Sequence, residues 1–420
     1  MAEEAVKARD KHFNSHRVAR SDCLRALVRD IIEELERHEQ ATGARKRQRR
    51  QQDQEVHERQ VESLVCGAAY RELQEPGGWV TVSRSKQVLG RYNRYQSMVM
   101  GKNLPKVLDA LSGPAMGLLE ASVGVGGSIR VRGVQTTYRA STTLLARLAP
   151  LGLSWADFGL HQDEEVIVLK APKENHRTRA KRIQYVETEQ TTAIRKEMQT
   201  INEWLESADI DYLGDSWDVD ATDRRMRRTF NKGRFDLGGR MFGGFWQGLH
   251  KPERKDIRID GREVTVLDFS HVGPRILYGM AGAVPCGDAY AVPGCADNRE
   301  GIKKVFAAMT YADKPPASFP RETKSLFPRS ARIGEVCKAI ERHHPELISL
   351  FYTGVGLEVM HRESQIMVSI MLQLKEQGIV GLPIHDAVVV REDHAQQTET
   401  IMLEVFRKVA GIEGRVEVEK

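Results

Sequence analysis

Two short apolar runs carry an acid at one end, and no other feature constrains the chain as strongly. Val-Leu-Asp-Phe-Ser occupies 266–270, and Leu-Pro-Ile-His-Asp-Ala-Val-Val-Val occupies 382–390. Continuous apolar, β-branched character reads as buried strand. A carboxylate at the end of such a strand is costly unless something pairs with it. A divalent cation held between Asp268 and Asp386 removes that cost. Two Mg²⁺ ions about 3.5–4 Å apart, bridged by aspartates, are the apparatus of in-line phosphoryl or nucleotidyl transfer. The pair therefore names a reaction class before any fold is assumed.

The 420 residues suffice for two or three domains. With 40% hydrophobic and 29% charged residues, the chain reads as globular rather than disordered. A net charge of +5 says little by itself. Its distribution says more. Basic runs occur at 45–50 (Arg-Lys-Arg-Gln-Arg-Arg), 177–182 (Arg-Thr-Arg-Ala-Lys-Arg) and 224–228 (Arg-Arg-Met-Arg-Arg). Any one of them reads equally well as a solvated face, but three upstream of Asp268 point toward a polyanion. The five cysteines form no zinc spacing and read as free thiols of a reducing cytoplasm. No apolar stretch approaches the roughly 20 residues of a membrane span, and the charged N-terminus lacks a signal-peptide core. A cytoplasmic protein without a membrane partner is the expectation.

Residues 1–60 read as a helical, charge-rich N-terminal segment, with an amphipathic helix marked by Leu24, Leu27, Val28, Ile31, Ile32 and Leu35. Residues 61–150 read as a small α+β domain. It holds a helix over 61–73, a strand at Trp79–Val82, a helix over 105–122 and a hairpin over 129–139 turning at Gly133. That pattern suits a winged-helix nucleic-acid-binding module, as it suits any small α+β domain. A strand over 165–170 and a helix over 187–207 follow within 160–235. Residues 236–420 carry the chemistry. Strands are expected at 263–269, 379–384, 386–391 and 415–419, and helices near 272–282, 297–311, 331–343, 358–377 and 394–410. Strands holding acids, with a long helical insertion between them, describe a palm with fingers.

Five patterns occur in one order. Asp236-Leu-Gly-Gly239-Arg240-Met-Phe242 offers a glycine for close backbone approach and an arginine for a phosphate. Asp268-Phe-Ser-His-Val-Gly-Pro-Arg275 follows, then Gly287-Asp288-Ala-Tyr290. Next, Arg299, Lys303, Ala307 and Tyr311 recur at spacings that share one helical face. Ile384-His385-Asp386-Ala387 comes last. In this order the patterns resemble the conserved motifs of the family A polymerase superfamily, which includes bacterial-type DNA polymerases and phage-type single-subunit RNA polymerases. The resemblance covers roughly 160–420 and leaves 1–150 unmatched. It implies an α+β right-hand polymerase: a thumb-like segment over 160–235, and palm and fingers over 236–420. Asp268 and Asp386, with the Phe269 carbonyl, would hold two Mg²⁺ ions, with Mn²⁺ as a substitute. Arg299 and Lys303 would neutralise the triphosphate, and Tyr311 would lie under the incoming base. His385 would face the primer terminus or structure the turn. Gly239, Arg240, Arg275 and Gln365 would serve the nucleic acid or support the site. Ala307 departs from the bulkier residue of the family.

Gly273 stands where the DNA polymerases carry a glutamate that excludes ribose, and where phage-type RNA polymerases carry glycine. The resemblance thus implies a ribonucleotide-tolerant, primase- or replicase-like enzyme. Its partners would be a nucleic-acid template and primer, DNA foremost, and nucleoside triphosphates. Two alternatives stand beside it. One is a non-catalytic nucleic-acid-binding replication initiator or regulator with a polymerase-like palm. The other is a metal-dependent nuclease, which would have no use for the basic helix.

Overall fold

A computed structural model describes residues 10–125, 133–174, 178–215, 219–285 and 287–419. Helices alternate with short strands throughout these residues, an α+β fold. The chain divides into two units, Met1–Glu165 with Asp215–Asp223, and Val166–Gly214 with Arg224–Lys420. No helix among the described residues is long and apolar enough to cross a membrane.

The first unit contains β1 (Lys11–His12), β2 (Arg17–Ala19), α1 (Asp22–Ala41), α2 (Gln51–Gln74), β3 (Val80–Val82) and α3 (Lys86–Leu89). After these come α4 (Leu104–Ser112), β4 (Leu119–Ser122), β5 (Thr136–Ala140), α5 (Thr142–Leu148) and β6 (Phe158–Leu160). Its main sheet runs β1-β3-β5-β4, and β2 pairs β6. Helical spacing puts Leu24, Val28, Ile31 and Leu35 on the buried face of α1. They join Val61, Leu64 and Val65 of α2 and Val80 and Tyr138 of the sheet in one core. For that reason the expected boundary at residue 60 falls inside α2 rather than between domains.

Two elements differ from expectation. The helix expected over 105–122 stops at Ser112, because Gly113-Pro114 cannot continue it, and 119–122 is instead a strand. The hairpin expected over 129–139 falls partly on residues outside those described. Its second half, β5, is paired on one side with β4 and on the other with β3.

The second unit begins with β7 (Ile167–Leu169), α6 (Glu189–Ser207), β8 (Ile210–Tyr212), β9 (Met226–Asn231), β10 (Arg234–Gly243), β11 (Ile257–Ile259), β12 (Val264–Phe269) and α7 (Val272–Ala281). It continues with α8 (Arg299–Tyr311), α9 (Ile333–His343), α10 (Gly356–Glu376), β13 (Leu382–Ile384), β14 (Ala387–Arg391), α11 (Ala395–Ala410) and β15 (Val416–Val418). An antiparallel sheet of order β13-β14-β12-β15 carries both acid-tipped strands. A second sheet runs β10-β9-β7, and β8 pairs β11. Helix α10 packs against β10, α6, α7, α8 and α11. Phe269 of β12 meets Phe406 of α11 with ring centroids 5.1 Å apart, beneath the acid-bearing end of the sheet.

Candidate active site

Strand pairing brings the two aspartates to one place. Asp268 lies opposite Ala387 in the β12–β14 ladder, and the Phe269 N–H donates to the Asp386 carbonyl at 3.2 Å. A residue's N–H and C=O leave a strand on the same side, so the Phe269 carbonyl also lies on the side of this turn. The turn between β13 and β14 has two central residues, His385 and Asp386. His385 has φ 57°, a conformation glycine adopts most easily. Three residues after Asp268, His271 has the same φ of 57° at the start of α7. Both histidines hold uncommon backbone beside the acids, as residues at functional sites often do.

The site is crowded with negative charge. On the other side of β12, Asp268 lies opposite Glu417, and Glu419 donates its N–H to the Val266 carbonyl at 2.8 Å. Burial first, then the charges of Asp386 and Glu419, push the Asp268 carboxyl up to about 6. Lys251 and Lys303 oppose that shift. Lys251 also forms an ion pair with Glu419, which Arg254 reaches at 3.2 Å. Asp268 Oδ1 is buried and has no hydrogen-bond partner among the described residues. Two carboxylates, one of them with an orphaned oxygen, fit a divalent cation. Among the described residues no group of three or more His, Cys, Asp and Glu is placed to cage a metal. A cation here would take its remaining ligands from outside this carboxylate pair, water among them, as Mg²⁺ commonly does.

Helix α8 is split lengthwise. Arg299, Lys303, Ala307 and Tyr311 are exposed, while Ile302, Val305, Phe306 and Met309 are buried. The spacing therefore delivers the basic face that the sequence suggests. Lys303 lies near enough to Asp268 to act on its carboxyl. Tyr311, 46% exposed, rests on the first turn of α10, where a Cβ on Gly356 would come within 2.5 Å of its ring. Gly273 lies in the first turn of α7, and a Cβ added there would meet nothing within 4 Å.

Of the remaining expected residues, Arg240, Gly239 and Arg275 are engaged inside the fold among the described residues, and Gln365 is not. Arg240 forms a two-pronged ion pair with the buried Glu363, Nε to Oε1 at 2.6 Å and Nη2 to Oε2 at 2.8 Å. Gly239 serves packing against α10, since a Cβ would come within 2.8 Å of both the Phe230 ring and Ser364 Oγ. Arg275 donates to the Glu413 carbonyl at 2.9 Å and so ties α7 to the segment before β15. Gln365 is exposed on α10.

The basic runs also find internal partners. In the first unit Arg49 pairs with Glu36 at 3.3 Å and Glu39 at 2.5 Å. In the second, Arg224 donates to the Ala208 and Ile210 carbonyls, and Arg228 to Gly239 O and Ser364 Oγ. The run at 177–182 begins outside the described residues. Clustering in sequence thus overstated the free positive charge, because α1 supplies acids to one run and β9 buries part of another.

Sequence reading missed several residues at the site. Trp246 Nε1 and Gln247 Nε2 both donate to the Pro383 carbonyl, at 3.0 and 2.9 Å, and so brace the strand that leads into His385. Phe242, which closes the first of the five sequence patterns, meets the His385 ring edge-on at 5.8 Å. Glu363, Glu419 and Lys251 were missed because isolated charges outside a motif look like surface residues.

No protein-family pattern and no curated protein matches the sequence. Among solved structures, the chain is similar to the POL domain of Pol1 from M. smegmatis, determined in complex with DNA primer-template and dNTP. The two are 10% identical, with a TM-score of 0.31, and the match covers 96% of this chain. The chain spans 66% of the length of that one. So slight a likeness bears on neither the site nor its chemistry.

Proposed function

We propose that the protein is a template-directed nucleic-acid polymerase, a nucleotidyltransferase whose palm and fingers lie within 236–420. One observation carries the reading. Asp268 and Asp386, remote in sequence, meet across one antiparallel pair, with the basic face of α8 near enough for Lys303 to act on Asp268. A nuclease would need the carboxylates without that helix.

In this reading Asp268 and Asp386, with the Phe269 carbonyl, would hold two Mg²⁺ ions. Bound there, they would supply activation of the 3′-hydroxyl and charge stabilisation for the leaving pyrophosphate. Lys303 and Arg299 neutralise the phosphates from α8, and Tyr311 offers its exposed ring to the incoming base. His385 shapes the turn that presents Asp386. Arg240 acts through Glu363 by fixing β10 to α10 beside that turn. The open space at Gly273 leaves room for a 2′-hydroxyl, which supports ribonucleotide use and a primase- or replicase-like role on a DNA template.

Primer extension and de novo synthesis with NTPs and dNTPs offered separately test this. Mg²⁺-dependent incorporation that includes NTPs is expected. Asp386→Ala should lose several orders of magnitude in rate and keep duplex binding, which rests on phosphate contacts. Use of dNTPs with complete exclusion of NTPs would overturn the sugar assignment. Duplex binding without any incorporation by the wild type would instead make this a non-catalytic replication initiator or regulator.

A further inference from the structure

The arginine at the head of α8 already has partners. Arg299 Nε donates to Asp288 Oδ2 at 2.8 Å, and its Nη2 lies 3.5 Å from Asp288 Oδ1. The same Nη2 donates to His271 Nε2 at 2.9 Å, so that ring nitrogen accepts. The guanidinium carbon lies 5.4 Å over the Tyr290 ring. Glu300 contributes a looser contact, 3.7 Å from Nη1. Asp288 is itself held in place, because its Oδ1 accepts the Tyr290 N–H at 2.8 Å. Lys303, one turn further along the same face, has no ion-pair or hydrogen-bond partner among the described residues. Of the two cations on this face, one is engaged and the other is open.

We propose that Asp288 is the resting counter-ion of Arg299, and that an incoming nucleotide must take the guanidinium from it. The proposal rests on the polymerase reading above. Asp288 occupies the Nε–Nη2 edge of the guanidinium, so a phosphate can take that edge only by displacing the carboxylate. The Arg299–Asp288 pair is partly exposed, with side chains 43% and 34% accessible. Such pairs are weak, so a triphosphate, with its greater charge, displaces the carboxylate at a modest cost in affinity. Asp288 thereby sets how tightly the nucleotide is held, and His271 keeps the arginine on the palm side until it arrives. Lys303 is available from the outset and makes the first contact.

The test compares wild type, Asp288→Asn, Arg299→Ala, the double variant and Glu300→Gln, each as the full chain with a primer–template duplex and Mg²⁺. Binding of a non-hydrolysable ribonucleoside triphosphate is measured at equilibrium, alongside KM and kcat for extension. Asparagine keeps an acceptor for the Tyr290 N–H while removing the charge. Asp288→Asn should tighten binding and lower KM by about two- to five-fold, with the smaller change in kcat. The gain should vanish in the Arg299→Ala background, and Glu300→Gln should give less. Unchanged or weaker binding by Asp288→Asn in an active enzyme would overturn the competition and leave the polymerase reading standing. An equal gain from Glu300→Gln would also overturn it, by reducing the effect to net charge. A wild type that neither binds triphosphate nor extends primers would overturn both.

Discussion

Asp268 is the residue on which burial and charge act most visibly. In the unfolded chain its carboxyl titrates near 3.8, and in the folded chain near 6. The folded state holds this proton more tightly, so Asp268 costs stability as pH rises across that window and continues to cost it above. Asp268→Asn should therefore stabilise the cation-free protein by about 1–2 kcal/mol near neutral pH, after allowance for partial exposure. The gain should shrink as pH falls and vanish below about pH 3, where both states are protonated. Thermal melts with and without a chelator check this. Mg²⁺ should raise the melting temperature of the wild type more than that of the variant, and more at neutral than at acid pH. Equal responses of the two proteins would remove Asp268 from the cation site. The acid itself was legible in the sequence, because an aspartate ending a buried strand is rare without a reason. Its orphaned oxygen was not legible, since that depends on what β14 and β15 bring alongside.

At the scale of elements, periodicity carried furthest. The strands at β12 and β14, and helices α6 to α11, lie close to where apolar spacing puts them, and the exposed face of α8 follows from spacing alone. The joints between elements were less legible. Arg240 reads as a phosphate ligand in sequence, but in the fold it joins β10 to α10 through Glu363. Burial pushes the Glu363 carboxyl up, against the pull of Arg240. Removing the arginine leaves an uncompensated buried acid, so Arg240→Ala should cost about 3 kcal/mol, seen as a lower denaturation midpoint. Adding Glu363→Gln to that variant should restore part of the loss. If the double variant is no more stable than the single one, the pair is not the joint described here.

At the scale of the whole molecule, domain division was the least legible feature. Residues 215–223 return to the first unit; four aspartates make the stretch acidic, but no local pattern names its partner. Asp220 and Thr222 tie it there: Asp220 pairs with the buried Arg17 and accepts from the Tyr70 hydroxyl at 2.6 Å, Thr222 Oγ1 accepts from Arg17 Nη1, and the Arg17 guanidinium lies 3.7 Å over the Tyr70 ring. Asp220→Ala should strand that arginine and cost about 3 kcal/mol, with faster hydrogen exchange in α2 and β2. Unchanged exchange there would show that the segment is held otherwise. The sequence by itself determined the α+β class, the acids at the strand ends and the basic face of α8, because each is a local pattern with a period of its own. Only the tertiary structure decided which charges meet: Asp268 with Asp386, Arg240 with Glu363, Arg299 with Asp288, Arg17 with Asp220. Such pairs join residues from 11 to 203 positions apart, and whether they touch depends on the path of everything between them.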